Sequence, residues 1–169
     1  MLKLNKNSGF TLIELTVVIV LISIMLFFTM PKFQSFVGPN QNRKFSRWLT
    51  MQINTLKDNA ARNRKLYILH ISPVSGKLWI TEESATEEAI LEAEEGGHQV
   101  PEDLRITDVE FPVHGKISAG RADICFYRNG YSDKALIHLE DDDNNQISFL
   151  IEPFLSKVKQ YDEYVEFED

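Results

Sequence analysis

One carboxylate near the start of the chain has the spacing to form an ion pair with a chain terminus. Glu14 lies four residues after Phe10, within the run Gly-Phe-Thr-Leu-Ile-Glu-Leu at residues 9–15. Four residues are about one helical turn, so its side chain lies on the same face as the residue 10 backbone nitrogen. If the chain were cut after Gly9, that nitrogen would become a free cation. The spacing would then bring that cation within reach of the Glu14 carboxylate.

The four histidines form no pattern that is typical of catalysis or metal binding. Two lie in strand patterns and two in loops, and no pair has the helical spacing of metal ligands. None is joined to a serine or cysteine in a nucleophilic arrangement, and no phosphate-binding glycine loop is present. We therefore expect structural or surface histidines, no enzymatic activity, no cofactor and no metal. These residues are His70, His98, His114 and His138.

Two acidic runs interrupt the second half of the chain. Residues 82–95 carry seven glutamates, which predicts a solvated loop or short surface helix, with a contact surface for a basic partner as the alternative. Residues 140–145 read Glu-Asp-Asp-Asp-Asn-Asn and are rich in oxygen ligands for calcium. They lack the glycine and terminal glutamate of an EF-hand loop, and a hairpin turn accounts for them directly.

A long apolar run lies close to the start of the chain. Residues 10–30 would span roughly 31 Å as a helix at about 1.5 Å per residue, close to a hydrocarbon core of about 30 Å. The run is longer than a usual signal-peptide core, and no small-residue cleavage site follows it. A plain anchor leaves Glu14 unexplained unless that side chain snorkels to the interface, since an acid inside a bilayer costs about 2.5–3.5 kcal/mol.

The rest of the chain predicts a second helix and a strand-rich head. After a break expected at Gly38-Pro39, apolar residues recur at spacings of three and four. This stripe consists of Phe45, Leu49, Ile53, Leu56 and Ala60. Strands are predicted at 65–72, 78–81, 104–111, 123–127, 135–140, 147–152 and, more weakly, 158–161, with turns at Asn129-Gly130 and 141–145. The predicted fold class is α+β: a long N-terminal helix, membrane-spanning in its first half and amphipathic in its second, packed on an antiparallel sheet or sandwich.

Charge is divided unevenly along the chain. Residues 32–65 carry eight basic side chains against Asp58 alone, a net charge of +7, whereas residues 66–169 carry 23 acids and eight bases, a net charge of −15. The basic stem suits either anionic lipid headgroups or the acidic heads of neighbouring subunits. An acidic head disfavours nucleic acid, which needs a cationic track. More positive charge follows the apolar run than precedes it, so charge counting alone would place the head in the cytoplasm.

Cys125 is the only cysteine, which excludes an internal disulfide. It lies in the run Ile-Cys-Phe-Tyr at 124–127, and we expect a small core residue in a strand.

Residues 9–15, with the short basic leader before them and the apolar run after them, resemble the prepilin-peptidase site of the type IV pilin and pseudopilin superfamily. The resemblance implies cleavage after Gly9 and methylation of the new Phe10 amine by the prepilin peptidase and methyltransferase. It implies that Glu14 pairs with the Phe10 amine of a neighbouring subunit in a filament. Pro31 lies where such helices often bend. It also implies a cytoplasmic leader, against the charge count.

The order of the later elements is similar to that of the H-type minor pseudopilin of type II secretion. A strand, a turn containing Gly76 and a strand containing Trp79 follow the helix, and residues 126–132 precede two closing strands. The lone cysteine also differs from the many major pilins that carry a C-terminal disulfide. The domains expected are a cleaved leader at 1–9, a transmembrane helix at 10–30, a stem at 31–64 and a periplasmic head at 65–169.

What this resemblance implies is a structural subunit in the inner membrane. It would join the tip of a pseudopilus that drives protein secretion across the outer membrane. Its partners would be other minor and major pseudopilins and components of the secretion machinery. Two alternatives stay open: a minor type IV pilin for pilus assembly or DNA uptake, and a single-pass anchored periplasmic binding module unrelated to filaments.

Overall fold

The computed structural model describes the backbone of residues 12–34, 40–155 and 157–167, and the side chains of 12–25, 42–155 and 157–167. The chain divides into two compact units, residues 1–38 and residues 39–169. Three predicted features lie outside the described residues: the leader, the cleavage position at Gly9 and Phe10, and the break at Gly38-Pro39.

The first unit contains helix α1, Leu12–Gln34. Its sequence is mostly apolar, with charges only at Glu14 and Lys32, and its backbone stays helical through Pro31. Proline lacks the amide hydrogen that an interior helical position donates, so Pro31 weakens the ladder at that turn.

The second unit begins with α2, Asn40–Asn63. The predicted stripe is confirmed, because all five of its residues are at most 3% exposed. The helix ends at Asn63, and the next residue, Arg64, takes a left-handed conformation with φ of 54°. That conformation is a common way to terminate a helix.

Two antiparallel sheets form the remainder of the second unit. The four-stranded sheet has the order β3-β2-β1-β6, and the five-stranded sheet has the order β5-β4-β7-β8-β9. The strands of the first sheet are β1 Tyr67–Ser72, β2 Lys77–Glu82, β3 His98–Gln99 and β6 Ala122–Phe126. Those of the second are β4 Leu104–Phe111, β5 Gly115–Ile117, β7 Ala135–Asp141, β8 Gln146–Ile151 and β9 Lys159–Tyr161.

One hydrophobic core joins α2 to both sheets. The stripe of α2 packs in the same cluster as Leu69 of β1, Ile124 of β6, Ile137 of β7 and Phe149 of β8. The unit is therefore α+β, as predicted. All seven predicted strands are present within two residues of their expected ends. Strands β3 and β5 were not predicted, because two or three residues are too short to show an alternating pattern.

The two acidic runs fold as expected. The seven-glutamate run contains α3, Glu87–Glu95, which has no buried residue and whose N-cap hydroxyl, on Thr86, accepts from the Ala89 amide. The 141–145 segment is the hairpin turn between β7 and β8. There the Asp141 carboxylate accepts hydrogen bonds from the Asp143 amide at 3.0 Å and the Asn145 amide at 2.8 Å.

Candidate functional site

Glu14 lies in the first turn of α1. A carboxylate is favoured there, because the first amide hydrogens of a helix point toward it and carry partial positive charge. Gly9 and Phe10, the other residues predicted to act with Glu14, lie outside the described residues. Of the predicted ion pair, the structure therefore describes the position of Glu14 in its helix and not that of Phe10.

Along residues 12–25, where side chains are described, α1 presents a mostly apolar surface. Along residues 12–25 the large apolar side chains are exposed, from 85% at Leu12 to 45% at Val18. The two hydroxyls of this stretch bond back to the helix, Thr16 Oγ1 to the Leu12 carbonyl at 2.7 Å and Ser23 Oγ to the Ile19 carbonyl at 2.8 Å. Their polarity is satisfied internally, so this part of the helix is suited to apolar neighbours.

Among the residues whose placement the structure describes, no helix is long and apolar enough to cross a membrane.

Not all of the basic side chains in the stem are exposed on its surface. Arg43, Lys44 and Arg47 are exposed at the start of α2, as the charge pattern predicts. Lys57 is not: it is 6% exposed, and its ammonium donates to the carbonyls of Glu152 and Leu155, each at 2.6 Å. Burial lowers the pKa of Lys57, although the nearby Glu152 carboxylate acts in the opposite direction.

Three of the four histidines have structural or surface roles. His70 Nδ1 lies 2.6 Å from Asp123 Oδ1, and its Nε2 lies 2.7 Å from the Thr81 hydroxyl. His98 lies in β3 and not in a loop as predicted, and its ring stacks on Trp48 with a centroid separation of 3.6 Å. Burial there lowers the pKa of His98.

His114 is exposed and lines an open cleft of about 570 Å³ beside β5 and β6, together with Arg121 and Asp123. Within the described ranges, no group of three or more metal-ligating side chains is positioned to hold an ion.

The fourth histidine belongs to a network that the sequence did not predict. Asp108, His138 and Ser148 are register partners across β4, β7 and β8 and are all buried, and we call these three residues the polar row. Residues 162–167, here the C-terminal strap, lie over this row without strand pairing. The alternation of apolar and polar residues in β7 was a signal for a polar outer face, but nothing in the sequence indicated what covers it.

Cys125 departs from the prediction in one respect. It lies in β6 as expected, but it is half-buried and alternates with the core residues Ile124 and Phe126. It therefore faces away from the core. Burial, and then the nearby Asp133 carboxylate, raise the pKa of the Cys125 thiol to about 11.

Comparison with known proteins gives a family match for the N-terminal segment and a similar fold among solved structures. Residues 4–30 match the model of the prokaryotic N-terminal methylation motif. The fold is similar to a solved structure of the minor pseudopilin EpsH from the type 2 secretion system of Vibrio cholerae. The two share 8% identity with a TM-score of 0.52, over 73% of this chain and 98% of that chain.

A crystal structure of EpsH from the same secretion system aligns with a TM-score of 0.47 and 8% identity, over 72% of this chain and 93% of that chain. No curated protein matches the sequence. The chain thus carries a prokaryotic N-terminal methylation motif, and its fold is similar to that of a minor pseudopilin.

Proposed function

We propose that this protein is a minor pseudopilin, a non-enzymatic structural subunit of a type II secretion pseudopilus. The observation that carries the proposal is the presence, in one chain, of a methylation motif at residues 4–30 and of a head whose fold is similar to that of EpsH. Either alone would be less specific, because the motif is shared by pilins of many kinds and a fold hosts many functions.

In this proposal the N-terminus supplies the assembly chemistry. The prepilin peptidase cuts after Gly9, and the new Phe10 amine is methylated. Glu14 of one subunit then pairs with the Phe10 amine of its neighbour and sets the stagger between packed helices. Desolvating a carboxylate is costly unless an opposite charge compensates it, so a helix out of register would leave Glu14 uncompensated among apolar side chains.

The apolar run at residues 10–30 anchors the subunit in the inner membrane before assembly. The exposed apolar side chains of residues 12–25 and the internally bonded hydroxyls of Thr16 and Ser23 support this role, because such a surface is stable among lipid tails and among other apolar helices. The leader lies in the cytoplasm and the head in the periplasm, in accordance with the motif and against the simple count of positive charges.

The head supplies contacts with other minor subunits, at the tip of the pseudopilus. Its acidic surface includes α3, and the exposed basic residues at the start of α2 offer the complementary charge on neighbouring copies or partners. Charge complementarity of this kind chiefly sets specificity and the rate of encounter. The acidic head also argues against a nucleic-acid ligand.

The N-terminus provides the first test. Intact-mass and peptide mass spectrometry of the protein purified from its own membranes should give a mature chain that begins with methylated Phe10. Gly9→Ala tests the dependence on this site and should leave the leader attached. An uncut N-terminus in the wild-type protein would contradict the proposal and would favour an anchored binding module.

A second test separates a secretion system from a pilus. Deletion of this subunit should abolish secretion of proteins across the outer membrane while leaving surface pili intact. Re-expression of the wild-type subunit, which is cleaved before Phe10, should restore secretion. Loss of pili with normal secretion would instead assign the chain to a type IV pilus.

A further inference from the structure

The C-terminal strap is held by the polar row through four hydrogen bonds. The Tyr164 hydroxyl donates to Asp108 Oδ2 at 2.8 Å, and His138 Nε2 lies 2.7 Å from the Val165 carbonyl oxygen. Ser148 Oγ donates to the Glu163 carbonyl at 2.6 Å and accepts from the Val165 amide at 3.1 Å. Strap residues 163–165 are therefore fixed by side chains of three neighbouring strands.

The contacts of His138 bear on the protonation state of its ring. Its Nδ1 lies 2.7 Å from Asp108 Oδ1, and its Nε2 faces the Val165 carbonyl. A carboxylate and a carbonyl can only accept, whereas a neutral imidazole has a single N–H to donate. Both contacts can be hydrogen bonds only when both ring nitrogens carry hydrogen, that is, when His138 is an imidazolium.

His70 provides an internal comparison. It has the same kind of carboxylate contact at Nδ1, but its Nε2 faces the Thr81 hydroxyl, which can donate as well as accept. A neutral His70 ring satisfies both of its contacts, and a neutral His138 ring cannot. Of these two histidines, only the one under the strap has contacts that require a positive charge.

We propose that the C-terminal strap is a pH-dependent closure, held shut by protonated His138 and released when that histidine loses its proton. Loss of the proton leaves a nitrogen lone pair facing the Val165 carbonyl, or leaves the Asp108 carboxylate without its donor. Nδ1 keeps the remaining proton, because its bond to a carboxylate is charge-assisted and stronger. The contact that fails is therefore the one to the strap. This inference does not depend on the proposed function.

The groups around His138 permit this response. From β4, Asp108 contacts the ring and Glu110 Oε1 accepts from the Phe167 amide at 3.4 Å. From β5, Lys116 lies over the Tyr164 ring, 4.9 Å from its centroid, and pairs with Glu166. On the same face of β7, Glu140 pairs with Arg105 at 2.6 Å. The Tyr164 ring stacks on His138 with a centroid separation of 4.0 Å.

The neighbours with shifted pKa values keep their charge state near neutral pH. Burial of Asp108 opposes its ionisation, but the hydrogen bonds from His138 and Tyr164 outweigh it and lower the pKa of that carboxyl. Burial and the bond to Asp108 raise the pKa of Tyr164, and the bond to Glu166 raises that of Lys116. Asp108 therefore stays an anion, Tyr164 neutral and Lys116 a cation.

Release of the strap would expose part of the outer face of the second sheet. Beside the polar row lie Leu136 and Leu150, which are register partners and are 1% and 9% exposed, outside the main core cluster. Glu110, which accepts from the strap at Phe167, is the register partner of Leu136 on β4. The closure thus covers a mixed polar and apolar surface at the end of the chain.

Hydrogen–deuterium exchange of the full chain in detergent tests the closure. Protection of amides in residues 162–167, corrected for intrinsic exchange, should fall about ten- to hundredfold between about pH 5 and about pH 9, as expected for loss of one hydrogen bond to a charged group. The β8 peptide from the same digest should stay protected throughout. Constant protection of the strap in the wild-type protein would overturn the proposal.

Two variants assign the effect to His138. His138→Gln carries no titratable group, and its amide can donate to Val165 at every pH, so strap protection should become independent of pH. Tyr164→Phe removes one strap bond and should lower protection at every pH while keeping the pH dependence. A pH dependence that persists in His138→Gln would contradict the proposal.

A measurement on the wild-type protein stands even if His138→Gln fails to fold. Nitrogen NMR of the labelled imidazoles should show both His138 nitrogens protonated while the strap is protected. A singly protonated His138 under a protected strap would overturn the proposal.

Discussion

The ammonium nitrogen of Lys57 lies 2.6 Å from the carbonyl oxygen of Leu155, 98 residues further along the chain. A second carbonyl, that of Glu152, accepts from the same nitrogen. A lysine of α2 thereby holds the loop that follows β8. Because both acceptors are backbone atoms, the residue types in the sequence do not reveal these hydrogen bonds.

Replacing Lys57 with methionine should destabilise the head by about 2 kcal/mol. Methionine keeps most of the side-chain length but donates nothing, and hydrogen bonds to a charged group contribute about 1.5–3 kcal/mol. The free energy of unfolding can be measured by urea titration of the full chain in detergent, followed by fluorescence of Trp48 and Trp79. Lys44→Met is the matched control, since Lys44 is exposed on the same helix and should change stability by less than about 0.5 kcal/mol. Equal losses in both variants would show that the two carbonyl bonds contribute little.

The stripe of α2 gives a second prediction about stability. Leu49 is 0% exposed in the core cluster, so Leu49→Ala should reduce the free energy of unfolding by about 2–5 kcal/mol. Met51 lies two residues further on and is 63% exposed, so Met51→Ala should change it by less than about 0.5 kcal/mol. The same urea titration measures both. A small loss for Leu49→Ala would mean that α2 is held by other contacts.

Helices and strands with a repeating pattern of apolar residues could be predicted from the sequence. Contacts between residues far apart in the chain could not. The stripe of α2 repeats every three or four residues, and Leu104–Phe111 is long and bounded by turns, so both were predicted correctly. The burial of Lys57 depends on two carbonyls at least 95 residues away, which no local pattern encodes. The strap is irregular backbone, and its fixation depends on side chains from three strands. The motif at residues 9–15, by contrast, is contiguous in the sequence, so it can be recognised without knowledge of the fold.

The Cys125 thiol should react slowly despite being only half-buried. With a pKa of about 11, its thiolate fraction at pH 8 is at least about a hundredfold lower than that of an ordinary cysteine. Alkylation by iodoacetamide should be about ten- to a hundredfold slower than in the urea-unfolded chain, since the greater nucleophilicity of a high-pKa thiolate offsets part of that factor. Its rate should rise about tenfold per pH unit until the pH approaches about 11. A rate that levels off between about pH 8 and about pH 9 would show that burial and Asp133 do not raise the pKa of this thiol.

Glu14 is predicted to act in assembly and not in membrane insertion. Glu14→Leu should insert at least as well as the wild-type protein, because an apolar residue replaces an acid that costs about 2.5–3.5 kcal/mol in a bilayer. Its recovery in complexes captured through partner subunits should fall about a hundredfold or more, since leaving one buried charge unpaired costs about 3–5 kcal/mol. Glu14→Gln keeps the shape without the charge and should show a similar loss.

Thr16→Ala is the matched control for this helix. Thr16 bonds to its own helix through the Leu12 carbonyl, so removing its hydroxyl should leave both insertion and capture unchanged. Insertion is measured by resistance to carbonate extraction, and capture by quantitative mass spectrometry of the purified complex. Normal capture of both Glu14 variants would contradict the proposed ion pair. Reduced capture of Thr16→Ala as well would indicate general damage to the helix surface, in which case the loss could not be assigned to the Glu14 charge.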